Sequence, residues 1–351
     1  MAKSEVLSLD IGSKNIKLVI GKQLPSSVTV SAAFVFPAPA NSIQDGKLLD
    51  MQAVAGCIKK VIEENKIKTK KAVLTIESTS IIRRELELPV VKESEMESMV
   101  RFEIEQYLPI MLSEYVVEYK ILEEFMADNI KKCKILVAAI SKAMVEEYLQ
   151  LLRSLDLTPV VMDMHSNAVS KLFGSKQQIN SEAYNLDKTA AIFDMGADFI
   201  NLTIVAKGVT KFSRLVTMGG NDIDVNIANT FNLNTAHAEE KKIIEGNLGY
   251  DRESSSADAI LNDTIRGSID RCLEEIQRMF QYYTSRDTGN RIDEIYIYGG
   301  SSNLTGLEEY IRFVMTMPVH KIKSMSSVKL SKPEGAQLEY CLNAIGAILR
   351  K

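Results

Sequence analysis

Two stretches of this chain, residues 9–20 and 193–204, follow one plan. In each, an apolar run ends at an aspartate, Asp10 or Asp194. An apolar residue follows, then a glycine, Gly12 or Gly196, then a small residue, Ser13 or Ala197. Each stretch then resumes an alternating strand, through Ile16, Leu18 and Ile20 in one copy and Ile200, Leu202 and Ile204 in the other. Alternation at period two marks a strand with one buried face, so the plan predicts a β-hairpin used twice. Glycine permits a sharp turn and a close approach of backbone to a ligand. Clustered backbone N–H groups suit phosphate oxygens, and a strand-end carboxylate suits Mg²⁺, which keeps several of its waters. Two such hairpins facing each other would clamp a nucleotide's phosphates. One alone would be an ordinary strand turn, and it is the repetition that argues for a shared architecture.

The rest of the chain narrows the class. With 351 residues it can bury at least two cores, so two lobes are expected. A net charge of -4 offers no electrostatic case for nucleic acid. No apolar run approaches the ~20 residues needed to span a bilayer. The N-terminus, with Lys3, Glu5 and Asp10 around a short apolar stretch, does not read as a signal peptide. Cys57, Cys133, Cys272 and Cys341 form no C-x-x-C pair, which fits reduced thiols and a cytoplasmic setting. His165, His237 and His320 share no ligand spacing with them, so no zinc is assigned.

Periodicity predicts helices over 51–65, 142–155, 165–173, 221–232, 236–244, 259–284, 307–315 and 338–349. Between 83 and 155 the order strand, helix, strand, strand, helix suggests an inserted subdomain. Its first helix should start at a capping box on Ser94 and carry Met96, Met99, Val100, Glu103, Tyr107 and Leu108 on one stripe, ended by Pro109. The polar stretches 174–188 and 247–258 read as loops. A strand over 291–298 ends in Gly299, Gly300, Ser301 and Ser302, a third place where a ligand can lie on bare backbone.

With these three stations in place the chain resembles the actin, sugar kinase and Hsp70 ATPase superfamily along essentially its whole length. Residues 10–14 look like the first phosphate loop, 193–197 like the second, 298–306 like the adenosine motif, and 344–349 like the closing helix. Within it, residues 83–89 and 102–109, then Gly219 to Ile223 and Ala238 to Lys242, resemble the PilM family of type IV pilus assembly, with FtsA as the nearest relative. The resemblance implies an α/β actin-like ATPase fold with two lobes, each with a central sheet, and an FtsA/PilM-type insertion. The implied boundaries are 1–83 with 336–351 for the first lobe, 84–158 for the insertion, 159–218 with 286–335 for the second lobe, and 219–285 for a helical subdomain capping the nucleotide. It also implies ATP and Mg²⁺ as cofactors, with Asp10 and Asp194 around the metal. The phosphates would meet Gly12, Ser13, Lys14, Asn15, Lys17, Gly196 and Ala197. Gly219, Gly220, Gly299, Gly300, Ser301 and Ser302 would line the nucleoside, Glu239 would hold the ribose, Lys242 would lie along the adenine, and Arg278 would stand near the base.

At position 200 the family's second loop carries a Thr whose hydroxyl faces the terminal phosphate. Ile200 stands there in this chain, which implies binding with at most slow ATPase activity and no assigned catalytic residue. The implied partner is the cytoplasmic N-terminal segment of a PilN-like membrane protein, docking around Phe102, Tyr107, Leu108 and strand 83–88. Contacts with pilus assembly ATPases and self-association are also open to such a protein. No FtsA-type amphipathic tail is expected after residue 349, so membrane contact would be indirect, at the inner face of the cytoplasmic membrane. Two other readings compete. A small-molecule or sugar kinase on the same fold would need a general base, for which Asp163 at a strand end is the candidate, although that residue also suits orienting the helix behind it. An FtsA-like division filament is the third.

Overall fold

The computed structural model describes residues 4–25, 27–107, 111–249, 256–331 and 337–350. Leu108, Pro109 and residues 250–255 of the expected 247–258 loop lie outside them, as does the side chain of Tyr107. The chain divides into two compact units, one made of Met1–Ala40, Lys68–Ile76 and Val160–Lys351, the other of Asn41–Ile67 and Glu77–Pro159.

The first unit holds two large sheets. A six-stranded sheet runs in the order Thr158–Met164, Lys71–Ile76, Val6–Ile11, Asn15–Gln23, Val28–Pro37, Val328–Leu330. A five-stranded sheet runs Val209–Val216, Ile200–Ala206, Thr189–Met195, Glu294–Tyr298, Val319–Lys321. The repeated hairpin lies inside each, and its surroundings repeat too. Val6–Ile11 pairs antiparallel with Asn15–Gln23 and parallel with Lys71–Ile76. Thr189–Met195 pairs antiparallel with Ile200–Ala206 and parallel with Glu294–Tyr298. Strands with parallel neighbours are covered on both faces and read as continuous apolar runs, which is why Leu7 and Leu9, like Ile192 and Phe193, are fully buried.

One core packs Phe193, Leu202 and Ile204 against Ile265, Ile269 and Ile276 of the long helix Ser256–Ser285. The other draws on both sheets, with Val19, Val28, Ala190 and Ile192 around the helices His165–Leu172 and Leu338–Ile348. Those two helices cross at Gly346, where an added Cβ would stand 2.1 Å from the Ala168 carbonyl oxygen. Overpacking a filled core costs about 1–3 kcal/mol, so Gly346→Ala is expected to lower the unfolding free energy by that amount, read as a lower urea midpoint with an unchanged slope.

The second unit holds an antiparallel sheet in the order Ile82–Pro89, Ile130–Ser141, Tyr115–Ala127. The helix Glu93–Tyr107 buries Met96, Val100 and Ile104 against Leu88, Cys133, Ile135 and Val137. The buried face thus includes Ile104, while Glu103 and Met99 are only half-buried. The helix begins one residue before the expected cap, because the Lys92 carbonyl already accepts from Met96 N–H at 3.1 Å, and Ser94 falls in its first turn. Asn41–Ile67, read from the sequence as part of the first lobe, belongs to this unit. Tyr148 ties it in by donating its hydroxyl to the Gly46 carbonyl at 2.7 Å.

The charged 123–134 stretch and part of the expected 174–188 loop are strand hairpins. Asp128 and Asn129, at φ 53° and 60°, make a two-residue turn that carries the ladder through the charged 123–134 stretch, where Glu123 faces Lys134 across the strands. Asn180 and Ser181, at φ 53° and 69°, do the same between Gln177–Ile179 and Glu182–Tyr184. Left-handed residues in pairs are the signature of a tight hairpin turn.

Candidate nucleotide site

The two hairpins bring their aspartates to one place in the first unit. Asp10 ends the Val6–Ile11 strand, fully buried, and its cross-strand partner is Lys17. Lys17 Nζ stands 3.2 Å from Asp10 Oδ2. Asp194, near the end of Thr189–Met195, has Asn201 and Tyr298 as strand neighbours. Between the carboxylates lies His165, first residue of the His165–Leu172 helix. Its Nε2 is 3.1 Å from Asp10 Oδ1 and its Nδ1 is 3.4 Å from Asp194 Oδ2.

Burial alone would raise the Asp10 carboxyl, but Lys17 and then His165 outweigh it and hold it well below the usual carboxylate range. Burial alone would lower the His165 imidazole. Asp10 and then Asp194 outweigh that and push it up to about 10. Lys17 likewise overcomes its burial through Asp10 and is raised. The cluster therefore carries two anions facing two cations. Neither contact to Asp10 is aligned as a hydrogen bond, so both its buried oxygens keep acceptor capacity beyond their ion pairs. Among the described residues no three of His, Cys, Asp and Glu form a ligand set for a bare metal. Buried carboxylate oxygens with acceptor capacity to spare fit a hydrated cation, whose waters can donate to them.

The glycines weave the second hairpin to its neighbours. Gly196 N–H donates to the Phe199 carbonyl at 3.0 Å, closing the turn. The Gly196 carbonyl accepts from Gly220 N–H at 3.1 Å and from Ser301 Oγ at 3.2 Å, and the Ala197 carbonyl accepts from Asn221 N–H at 2.9 Å. A Cβ on Gly219 would lie 2.3 Å from the Ala197 oxygen, and one on Gly220 would lie 2.6 Å from Ser301 Oγ. Gly299 sits at φ 93° with room for no side chain, since a Cβ would be 2.8 Å from Asp194 Oδ1. Ser302 Oγ donates to the Gly299 carbonyl at 2.7 Å, fixing the turn that Gly300 enters. The second loop, the Gly219–Gly220 junction and the 299–302 turn thus pack backbone on backbone, with Gly219, Gly220 and Gly299 buried in the contacts. The first hairpin has the same form: Gly12 N–H donates to the Asn15 carbonyl at 3.2 Å, with Ser13 in the turn.

Glu239 and Lys242 project from the helix Thr235–Glu245. Lys14 of the first loop pairs with Glu239, an ion pair open to solvent. Lys242 Nζ lies 2.6 Å from Asp224 and donates to the Gly220 carbonyl at 3.1 Å. Arg278 pairs with Glu275 on an exposed stretch of Ser256–Ser285. Ile200 is buried in the core with Met195 and Val216. Asp163 accepts from Met164 N–H and Asn167 Nδ2, both at 2.8 Å, and from Lys171 Nζ at 2.6 Å, so it orients the helix that begins at His165.

His165 and Asn343 are the residues that the sequence reading missed. Asn343, in Leu338–Ile348, donates its amide to Asp194 Oδ2 at 2.7 Å. His165 had one available signal, its place at a strand-to-helix junction, where α/β folds put ligand contacts.

Comparison with known proteins follows the same line. A family model described as Type IV pilus assembly protein PilM matches residues 8–345. The cell division protein FtsA of Staphylococcus epidermidis is 21% identical over 381 residues, covering 95% of this chain and 77% of that protein. The solved PilM-PilN type IV pilus biogenesis complex superposes with a TM-score of 0.84 at 24% identity, over 99% of this chain and 98% of that one. MreB5 of Spiroplasma citri bound to AMPPNP superposes with a TM-score of 0.54 at 12% identity, over 91% and 92%. At these identities the likeness is one of fold, and the fold is the actin-like ATPase fold.

Proposed function

The chain belongs to the type IV pilus assembly protein PilM family, and from that membership we propose that it is an ATP-binding scaffold of the pilus assembly platform. The observation that carries the nucleotide reading is the meeting of Asp10 and Asp194 in one buried charge cluster beside three glycine turns. Relatives on this fold support it, since the MreB5 structure holds AMPPNP. When bound, Mg²⁺ would neutralise phosphate charge, with Asp10 and Asp194 accepting from its waters. Gly12, Ser13, Gly196 and Ala197 would face the phosphates. Gly219, Gly220 and the 299–302 turn would face the nucleoside, with Glu239 and Lys242 beside it.

The partner we propose is the cytoplasmic N-terminal segment of a PilN-like membrane protein, a reading supported by the PilM-PilN complex among the structural relatives. Among the described residues no helix is long and apolar enough to cross a membrane, so attachment to the inner face of the membrane is proposed through that partner. Strand Ile82–Pro89 suits the docking. It is an edge of its sheet, paired only with Ile130–Ser141 among the described strands, and an extended peptide can add to such an edge. Within this reading, residues 1–83 with 336–351, less the 41–67 segment that packs with the second unit, and 159–218 with 286–335 are the lobes, 219–285 caps the nucleotide, and 84–158 meets the partner. A kinase reading has less support, because its candidate base Asp163 is engaged by Lys171 and two further donors.

The test is thermal unfolding with and without Mg-ATP. A ligand at about 100 Kd stabilises by ~2.7 kcal/mol, and the wild type is expected to show a shift of that kind. Asp194→Asn, nearly the same shape without the charge, is expected to lose it. An equal shift in both proteins would remove Asp194 from the site. With Ile200 in the core, phosphate release is expected to run well below the ~1–10³ s⁻¹ of ordinary enzymes. Release within that range from clean protein would make this chain an enzyme.

A further inference from the structure

The Leu338–Ile348 helix buries nine of its eleven residues, and Asn343, at 3% exposure, is its buried amide. A buried amide is costly unless its hydrogen bonds are made, and an apolar residue would fill this helix position more cheaply. The bonds are made, and in a fixed sense. Asp194 has only acceptors to offer, so the Asn343 NH₂ must point at it, 2.7 Å from Oδ2. The amide oxygen then faces Tyr298, whose hydroxyl donates to it at 2.7 Å from a ring only 1% exposed. Tyr298 is also the strand neighbour of Asp194 in the parallel pair. The helix bearing Asn343 is tied down along its length. Ser8 Oγ donates to the Ala344 carbonyl at 2.6 Å, Gly299 N–H to the Glu339 carbonyl at 2.8 Å, and Lys171 Nζ to the Leu349 carbonyl at 2.8 Å.

We infer that Asn343, oriented by Tyr298, is a positioning residue for Asp194. It anchors one carboxylate oxygen to the Leu338–Ile348 helix and so fixes the carboxylate's rotation toward a metal-nucleotide complex. The inference rests on the nucleotide reading above, and it makes a claim that packing alone would not. Asn343 should matter for the metal-bound nucleotide and not for the nucleotide by itself.

The experiment is calorimetric titration of ADP into wild type, Asn343→Leu and Tyr298→Phe, once with Mg²⁺ and once in EDTA. Partners that orient a metal's direct ligands typically contribute 10–100-fold to metal affinity, and for a carboxylate acting through the metal's waters the low end of that range applies. Asn343→Leu is therefore expected to weaken Mg-ADP by roughly tenfold, with metal-free ADP changed by less than about twofold. Tyr298→Phe, which loses one oxygen and keeps the ring, is expected to move the same ratio by less, and it carries the test if the Leu variant does not fold. A parallel fall in both affinities, or no change in either, would mean that the pair only packs, and the inference is overturned. Equal wild-type affinity with and without Mg²⁺ overturns it as well, while leaving nucleotide binding in place. No ADP binding by the wild type under either condition removes the nucleotide reading itself, and this inference with it.

Discussion

Asp10→Ala is expected to cost about 3–5 kcal/mol of unfolding free energy, the range for removing one partner of a buried charge pair. Asp10 is fully buried between Lys17 and His165. Without it, two cations face each other across the gap, and Asp194 is left near His165 to offset both. The loss comes mostly from the charges left behind and only in part from the contact removed. Charge removal on both sides should therefore recover part of it. Asp10→Ala combined with Lys17→Met is expected to be more stable than Asp10→Ala alone, and urea unfolding of the two singles and the double measures that coupling. Additive losses would show that Lys17 and Asp10 do not act as a pair.

The second large effect separates neighbours on one helix. Ile104 is 2% exposed within the core of the second unit, whereas Phe102, two residues earlier, is 60% exposed. Ile104→Ala is expected to cost about 2–5 kcal/mol, and Phe102→Ala no more than about 0.5 kcal/mol. A ring so exposed is not holding the subdomain together, which leaves it free for a partner. Thermal or urea unfolding of the two variants settles the comparison. A Phe102→Ala loss within the range for core residues would return that side chain to the core and remove it from the docking surface.

Much of this arrangement was legible in the residues. Asp10, Gly12, Asp194 and Gly196 announced two hairpins because the turn chemistry and the strand alternation are local and repeat. The Gly299–Gly300 pair marked a turn whose glycine is required by a positive φ and by the closeness of Asp194. The tie from Asp163 to its following helix was also readable, since it joins residues at most eight apart. His165 and Asn343 were not, because they reach the aspartates from helices 155 and 149 residues distant from their partners Asp10 and Asp194, through packing that no local pattern encodes. A search of the three histidines for zinc spacing passed over one that serves two carboxylates. The hairpins at 128–129 and 180–181 were hidden for a different reason. Around 128–129 the ladder runs through charged residues such as the exposed Glu123 and the half-buried Lys134, and the 177–179 and 182–184 strands are only three residues each, so apolar alternation is too short or too interrupted to show.

The scaffold reading is tested most directly by titrating the N-terminal cytoplasmic peptide of the PilN-like partner into the wild-type chain in the presence of Mg-ADP. The account predicts saturable one-to-one binding that Phe102→Ala weakens while the protein's melting temperature stays unchanged. No binding of that peptide, together with phosphorylation of a sugar or another small molecule by the same preparation with Mg-ATP, would contradict it and put a kinase in the scaffold's place.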